Sequence, residues 1–238
     1  VQASDEEIVL AMNPETELAN LLKAGSWDMA TARHLGLTGG HALQKRVSMS
    51  LGSHPENVTH TEAPEKVEGT RIQSDTGELL WDISSNEQDS QIQINTAKTK
   101  ALIGFTDQKE VTLGDVTIRP GKTNLGWSTI ALTLLEGESF STTARALLIA
   151  TGQTENTDMK WTNEKKNSVS DQWGSSPVLT ECVPFEITLP VQASRVQVFA
   201  LDTQGNPLEA CKVHSIGDKA LITSSGDTKT FWYEIRIQ

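Results

Sequence analysis

Phe231-Trp232-Tyr233-Glu234-Ile235-Arg236-Ile237 alternates between two kinds of side chain. Phe231, Tyr233, Ile235 and Ile237 fall on one face and Trp232, Glu234 and Arg236 on the other, the period of two expected of a half-buried β-strand. Trp232 is therefore expected on the wet side. The same alternation puts Trp127 with Thr129 and Thr133, opposite Ile130, Leu132 and Leu134, whereas Trp81 shares a face with Leu79 and Ile83 and reads as core.

Outward from that strand, short apolar or alternating runs recur between turn residues over 67–73, 78–83, 91–95, 100–105, 110–119, 127–135, 145–151, 184–189, 195–201, 208–213, 220–223 and 230–237. Asp75-Thr76-Gly77, Leu113-Gly114-Asp115 and Gln204-Gly205-Asn206-Pro207 supply turn chemistry, because glycine accepts positive φ and Asp or Asn bonds the turn backbone. This rhythm predicts an all-β fold, a jelly-roll-like β-sandwich of about 10–12 strands over residues 61–238. The longest break, Gln153–Pro177, holds Trp161 and Trp173; a loop of that length in a compact domain is often functional.

Residues 1–60 differ in kind and read as a short helical or irregular appendage or linker. Ser4-Asp5-Glu6-Glu7 has the form of a capping box, with Ile8, Leu10 and Ala11 following, and Asn13-Pro14 places a cap before a proline at the first helical position. Leu18, Leu21 and Leu22 then form a stripe at helical spacing and Gly25 stands where a C-terminal glycine belongs, so a helix is expected over 14–24. From Leu35 to His60 periodicity fades, and the segment reads as linker or irregular structure.

The chain has 238 residues, 37% hydrophobic and 21% charged, which excludes disordered, collagen-like and disulfide-dense classes. A net charge of −11 argues against binding nucleic acid or an anionic membrane and favours a neutral or cationic partner. No run of 18 apolar residues is present, and VQASDEEIVL has neither the basic nor the apolar region of a signal peptide, so either a signal has been removed or this is a piece of a longer chain. Cys182 and Cys211 allow one bridge or two free thiols.

Sites of chemistry are sparse. Pro120-Gly121-Lys122-Thr123 ends like a phosphate loop, but Val116 stands where the first glycine belongs, so it reads as a hairpin turn. His34, His41, His54, His60 and His214 show no metal-ligand spacing. Asp202 with Gln204 and Asn206 offers oxygen ligands for a structural calcium and is equally an ordinary hairpin turn; no other cofactor is implied. Asn86-Glu87 and Asn163-Glu164 resemble the acid/base dipeptide of barrel glycosidases yet sit in polar loop sequence, where burial could hardly raise a carboxyl pKa. No catalytic residue is assigned.

Four segments, Ser74–Asp82 (SDTGELLWD), Ala144–Trp161 (ARALLIATGQTENTDMKW), Ser170–Pro184 (SDQWGSSPVLTECVP) and Val198–Asn206 (VFALDTQGN), resemble the C-terminal β-sandwich region of large bacterial glycoside hydrolases, where it follows a TIM-barrel catalytic domain. Asp5–Leu35 looks, more weakly, like the last helix and exit strand of such a barrel. The resemblance implies a carbohydrate-active, extracellular or periplasmic setting; the barrel and its catalytic carboxylates are absent from these residues. It implies a non-catalytic accessory module, not an enzyme, with polysaccharide or oligosaccharide as ligand and a catalytic TIM barrel as neighbour. Stacking of sugar rings is expected on two or three tryptophans among Trp127, Trp161, Trp173 and Trp232, with Asn156, Asp158 and Asp171 accepting hydroxyl hydrogen bonds. The alternative is a scaffold domain, with Trp27 and the leucine stripe packing on a partner and no glycan binding of its own.

Overall fold

The structure, a computed structural model, describes residues 7–12, 39–51, 69–83 and 90–238. The expected helix over 14–24, Trp27, and Asn86-Glu87 lie outside the described residues. The chain divides into two compact units, Val1–Ile83 and Ser84–Gln238.

In the first unit, strand β1 (Glu7–Met12) pairs in parallel with β2 (Arg46–Leu51), in register from Glu7 opposite Arg46 to Met12 opposite Leu51. The capping-box reading of this start is thus corrected: the run after it is strand. Ile8 and Val9 are β-branched, and ladder bonding to β2 overrides a local cap signal. The irregular reading of 35–60 is corrected as well, since α1 (Gly39–Gln44) and β2 lie within it. Six residues beginning Gly-Gly are too short to show helical periodicity, while the alternation of Val47, Met49 and Leu51 was legible. A hairpin of β3 (Arg71–Gln73) and β4 (Leu79–Asp82) turns through Asp75-Thr76-Gly77, where Gly77 has a φ of +73°. Trp81, expected in the core, is half-buried and lies against the start of α1; a Cβ on Gly39 would meet its ring at 2.7 Å, so only glycine fits there.

The second unit is an all-β sandwich of two antiparallel sheets. The larger takes β5 (Gln91–Asn95), β6 (Thr99–Phe105), β9 (Trp127–Glu136), β10 (Ala144–Thr157), β11 (Ser175–Cys182), β13 (Val196–Leu201), β14 (Pro207–Ala210) and β17 (Trp232–Ile237). In that sheet the order is β14-β13-β17-β10-β9-β6-β5, with β11 attached to β10 alone. The smaller takes β7 (Val111–Leu113), β8 (Val116–Pro120), β12 (Phe185–Leu189), β15 (Val213–Ile216) and β16 (Lys219–Ser224), in the order β15-β16-β12-β8-β7.

The core between the sheets follows the alternation read in the sequence. Ile130, Leu132 and Leu148 with Tyr233 and Ile235 face Ile118, Ile187, Leu189 and Ile222, all essentially inaccessible to solvent. Each such side chain contributes about 1.5–3 kcal/mol relative to exposure. Phe185 and Tyr233 meet edge to face across the sheets, ring centroids 5.2 Å apart.

At short turns and sheet changes, the sequence runs merged or misplaced strands. The run 110–119 is two strands, β7 and β8, folded at Gly114-Asp115 with a glycine φ of +64°. The run 208–213 is likewise two pieces in different sheets, β14 and β15. Pro120–Thr123, expected to be a hairpin turn, instead carries the chain from β8 in the small sheet to β9 in the large one. Asp107 pins this crossing, and Gly121 donates its N–H to the Pro184 carbonyl at 2.7 Å so closely that a Cβ there would collide with Pro184.

Candidate functional site

The long break predicted over 153–177 is strand at both ends. β10 runs on to Thr157 and β11 begins at Ser175, so the irregular part shrinks to residues 158–174. The first half of β10 is flanked by β9 and β17; beyond Thr151 its strand partners among the described residues are all in β11, with Glu155 opposite Leu179 and Asn156 opposite Val178. The result is a two-stranded arm extending the large sheet. Its sequence, TGQTENT, is polar at successive positions because neither face of the arm enters the core, and that removed the alternation a strand reading needs.

The loop closing the arm is itself a small hairpin. Lys160 donates its N–H to the Gln172 carbonyl at 2.9 Å, Trp161 bridges Val169, Thr162 donates to Ser168, and Lys166, at a φ of +51°, closes the tip on Asn163. At the neck the Asn156 side-chain amide donates to the Trp173 carbonyl at 2.9 Å, and Asp158 takes a φ of +60°. Gly174 is indispensable here, since a Cβ would lie 2.3 Å from the Thr157 carbonyl oxygen.

Glu155 ties this hairpin to the strand. Its Oε2 accepts the Trp161 indole N–H at 2.7 Å, the Lys166 ammonium at 2.9 Å and the side-chain amide of Gln153. The Lys166 bond first, and the Trp161 N–H after it, hold the carboxyl below the usual carboxylate range against the opposing effect of partial burial. Glu155 and Lys166 were not among the sequence-predicted residues. Six and eleven positions separate Glu155 from Trp161 and Lys166, spacings that mean nothing until the hairpin folds back.

Asn156, Asp158, Trp161, Asp171 and Trp173 all fall on the arm. Trp173 is 65% exposed, Asp158 and Asp171 are exposed, and Trp161 and Asn156 are half-buried. Trp127 and Trp232 stand elsewhere, on the outward face of the large sheet. Ala131 on β9, Ile149 on β10 and Trp232 on β17 share one rung, and Trp127 is four residues along β9 from Ala131. That register separates the two backbones by about 16 Å, too far for the two rings to form one plate.

Trp232 is half-buried rather than wet. Around it, Glu234 is buried with Arg145 Nε at 2.7 Å from one carboxylate oxygen and Arg236 at 2.7 Å from the other, while the Arg236 guanidinium stacks over Phe199 at 4.7 Å. The Trp232 ring itself meets Phe231 edge to face, centroids 4.7 Å apart, a contact that alternation alone does not foresee.

Asn163-Glu164 is exposed at the loop tip, as a solvated charge should be. Asp202 accepts backbone N–H bonds from Gln204 and Asn206 and a third from the Asn206 side chain, the geometry of a tight hairpin turn. Among the described residues no cluster of His, Cys, Asp and Glu has the makings of a metal site, and Cys182 and Cys211 are free thiols whose pKa burial raises. Nor is any helix among the described residues long and apolar enough to cross a membrane. No family model, curated protein or solved structure matches the chain.

Proposed function

We propose that the chain is a non-catalytic carbohydrate-binding or accessory module of a multidomain glycoside hydrolase, working in an extracellular or periplasmic setting. It would hold a polysaccharide or oligosaccharide on the β10–β11 arm. The observation that carries the reading is Trp173, a large indole left 65% exposed on a loop whose backbone is pinned at its neck by Asn156. An exposed aromatic on a mobile loop loses entropy when it binds; one on a tied loop keeps most of its stacking energy for the ligand. Asp158 and Asp171, exposed on the same loop, supply hydroxyl-accepting carboxylates.

Affinity gel electrophoresis against soluble β-glucans, xylans, mannans and galactans tests it. Retardation by one class, abolished by Trp173→Ala in a protein with an unchanged unfolding midpoint, is the expected result. Retardation that survives Trp173→Ala would remove the indole from the site.

A second reading is favoured by a different feature of the same arm. Among the described residues β11 pairs only with β10, and Val178 (62% exposed) and Leu179 (50%) lie on opposite faces of it. A free edge with apolar residues on both faces suits a scaffold element that docks against a neighbouring domain. Sedimentation velocity distinguishes the two: concentration-dependent association relieved by Leu179→Thr, without glycan retardation, would favour the scaffold.

A further inference from the structure

We propose that Glu155 is a positioning residue of the saccharide platform: through one carboxylate oxygen it fixes the Trp161 indole as a second plate beside Trp173. The proposal rests on the carbohydrate-binding reading above.

The hairpin over 158–174 holds its shape through bonds internal to itself, from Lys160 with Gln172 and Ser170 to Lys166 with Asn163. Among the described residues, the hydrogen bonds that reach back to β10 from the middle of that hairpin all end on Glu155 Oε2, from Trp161 and from Lys166. Asn156 separately secures the neck and Trp173. The two tryptophans are therefore held by neighbouring residues of one strand, and the holds are independent.

The Glu155 hold is a strong one for its place. Glu155 and Lys166 are each about 30% exposed at the side chain, shielded enough for their ion pair to outweigh a fully solvated one. The carboxylate orients the indole through its only N–H donor, so the ring cannot turn about its own axis without breaking that bond. Trp161 is half-buried, which leaves part of its ring to solvent next to the Lys160–Gln172 rung that leads into Trp173. Three donors of its own chain converge on Oε2, so that oxygen serves to hold the loop.

The test uses the full chain with ¹⁵N-labelled tryptophan, following the indole N–H resonances together with gel retardation on whichever polysaccharide the wild type retains. Glu155→Ala should move the Trp161 resonance, leave that of Trp173 in place, and weaken retention roughly tenfold, as loss of a charge-assisted bond that preorganises an anchor would do. Glu155→Gln keeps an oxygen for the indole and should restore part of both effects; it also serves if the alanine variant folds poorly. Full retention by both variants would overturn the positioning role while leaving carbohydrate binding intact. Absence of retention by the wild type would overturn the carbohydrate reading, and the platform role with it, even if the Trp161 resonance moves in Glu155→Ala.

Discussion

The Asp107 carboxylate takes hold of Thr123 twice, accepting its backbone N–H at 3.0 Å on one oxygen and its hydroxyl at 2.8 Å on the other. Thr123 is buried, and it lies where the chain leaves the small sheet for the large one. Asp107→Ala strands both donors and should cost about 2–3 kcal/mol, read as a lower urea midpoint with an unchanged slope. A loss within experimental error would mean that the crossing is held by packing alone.

Glu234 should make stability depend on acid. The Arg236 bond, and after it the charges of Arg236 and Arg145, lower its folded pKa below the ordinary value of 4.5. A depressed carboxylate contributes stability that is fully present above its unfolded value and is lost as pH falls through the folded one. Unfolding free energy should therefore decline on the acid side of that value, and Glu234→Gln should flatten this part of the curve. Identical slopes in the two proteins would assign the acid loss to other groups.

Positions on three strands of the large sheet should differ sharply in what they contribute. Leu148→Ala removes an inaccessible side chain and should cost about 2–5 kcal/mol. Tyr233→Phe removes only a hydroxyl shared with Thr228 at 2.7 Å and Ser224 at 3.2 Å, a loss of about 1–2 kcal/mol. Leu208→Ala, at a 60% exposed position of an edge strand, should stay within about 0.5 kcal/mol. Differential scanning calorimetry orders the three, and a reversed order would refute the register of β10 and β17.

Charge on the arm points to uncharged glycans. Lys166 is committed to Glu155, and the exposed Lys160 and Lys165 are offset by Asp158, Glu164 and Asp171. Retention of a neutral polysaccharide should then be nearly the same at low and at high salt, while acidic polysaccharides pass unretarded. Strongly salt-sensitive retention would place the ligand on a basic surface other than this arm.

How much of this was legible in the sequence depended on how many faces of a strand meet the core. β5 and β9, half-buried and alternating, were read to within a residue, and so was β17 apart from the leading Thr230 and Phe231. The second half of β10 and the start of β11 were read as loop, and the rest of β11 was assigned to no strand, because the arm has no buried face to impose a period. β7 with β8, and β14 with β15, merged in the reading because a turn or sheet change of two residues leaves the apolar pattern nearly unbroken. At the candidate site the exposed aromatic could be guessed from its loop. The carboxylate holding Trp161 could not, since only backbone geometry brings positions 155, 161 and 166 together.

β10 is 14 residues long and belongs to two structures in succession, the body of the sheet and the arm. A pull on anything gripped at the arm's tip is delivered lengthwise down that single strand. Its rungs to β9 and β17 would be loaded in shear, all sharing the tension together, rather than peeled open one after another. Under such a load the first part to give would be the two-stranded arm, where among the described residues β10 is paired with β11 only.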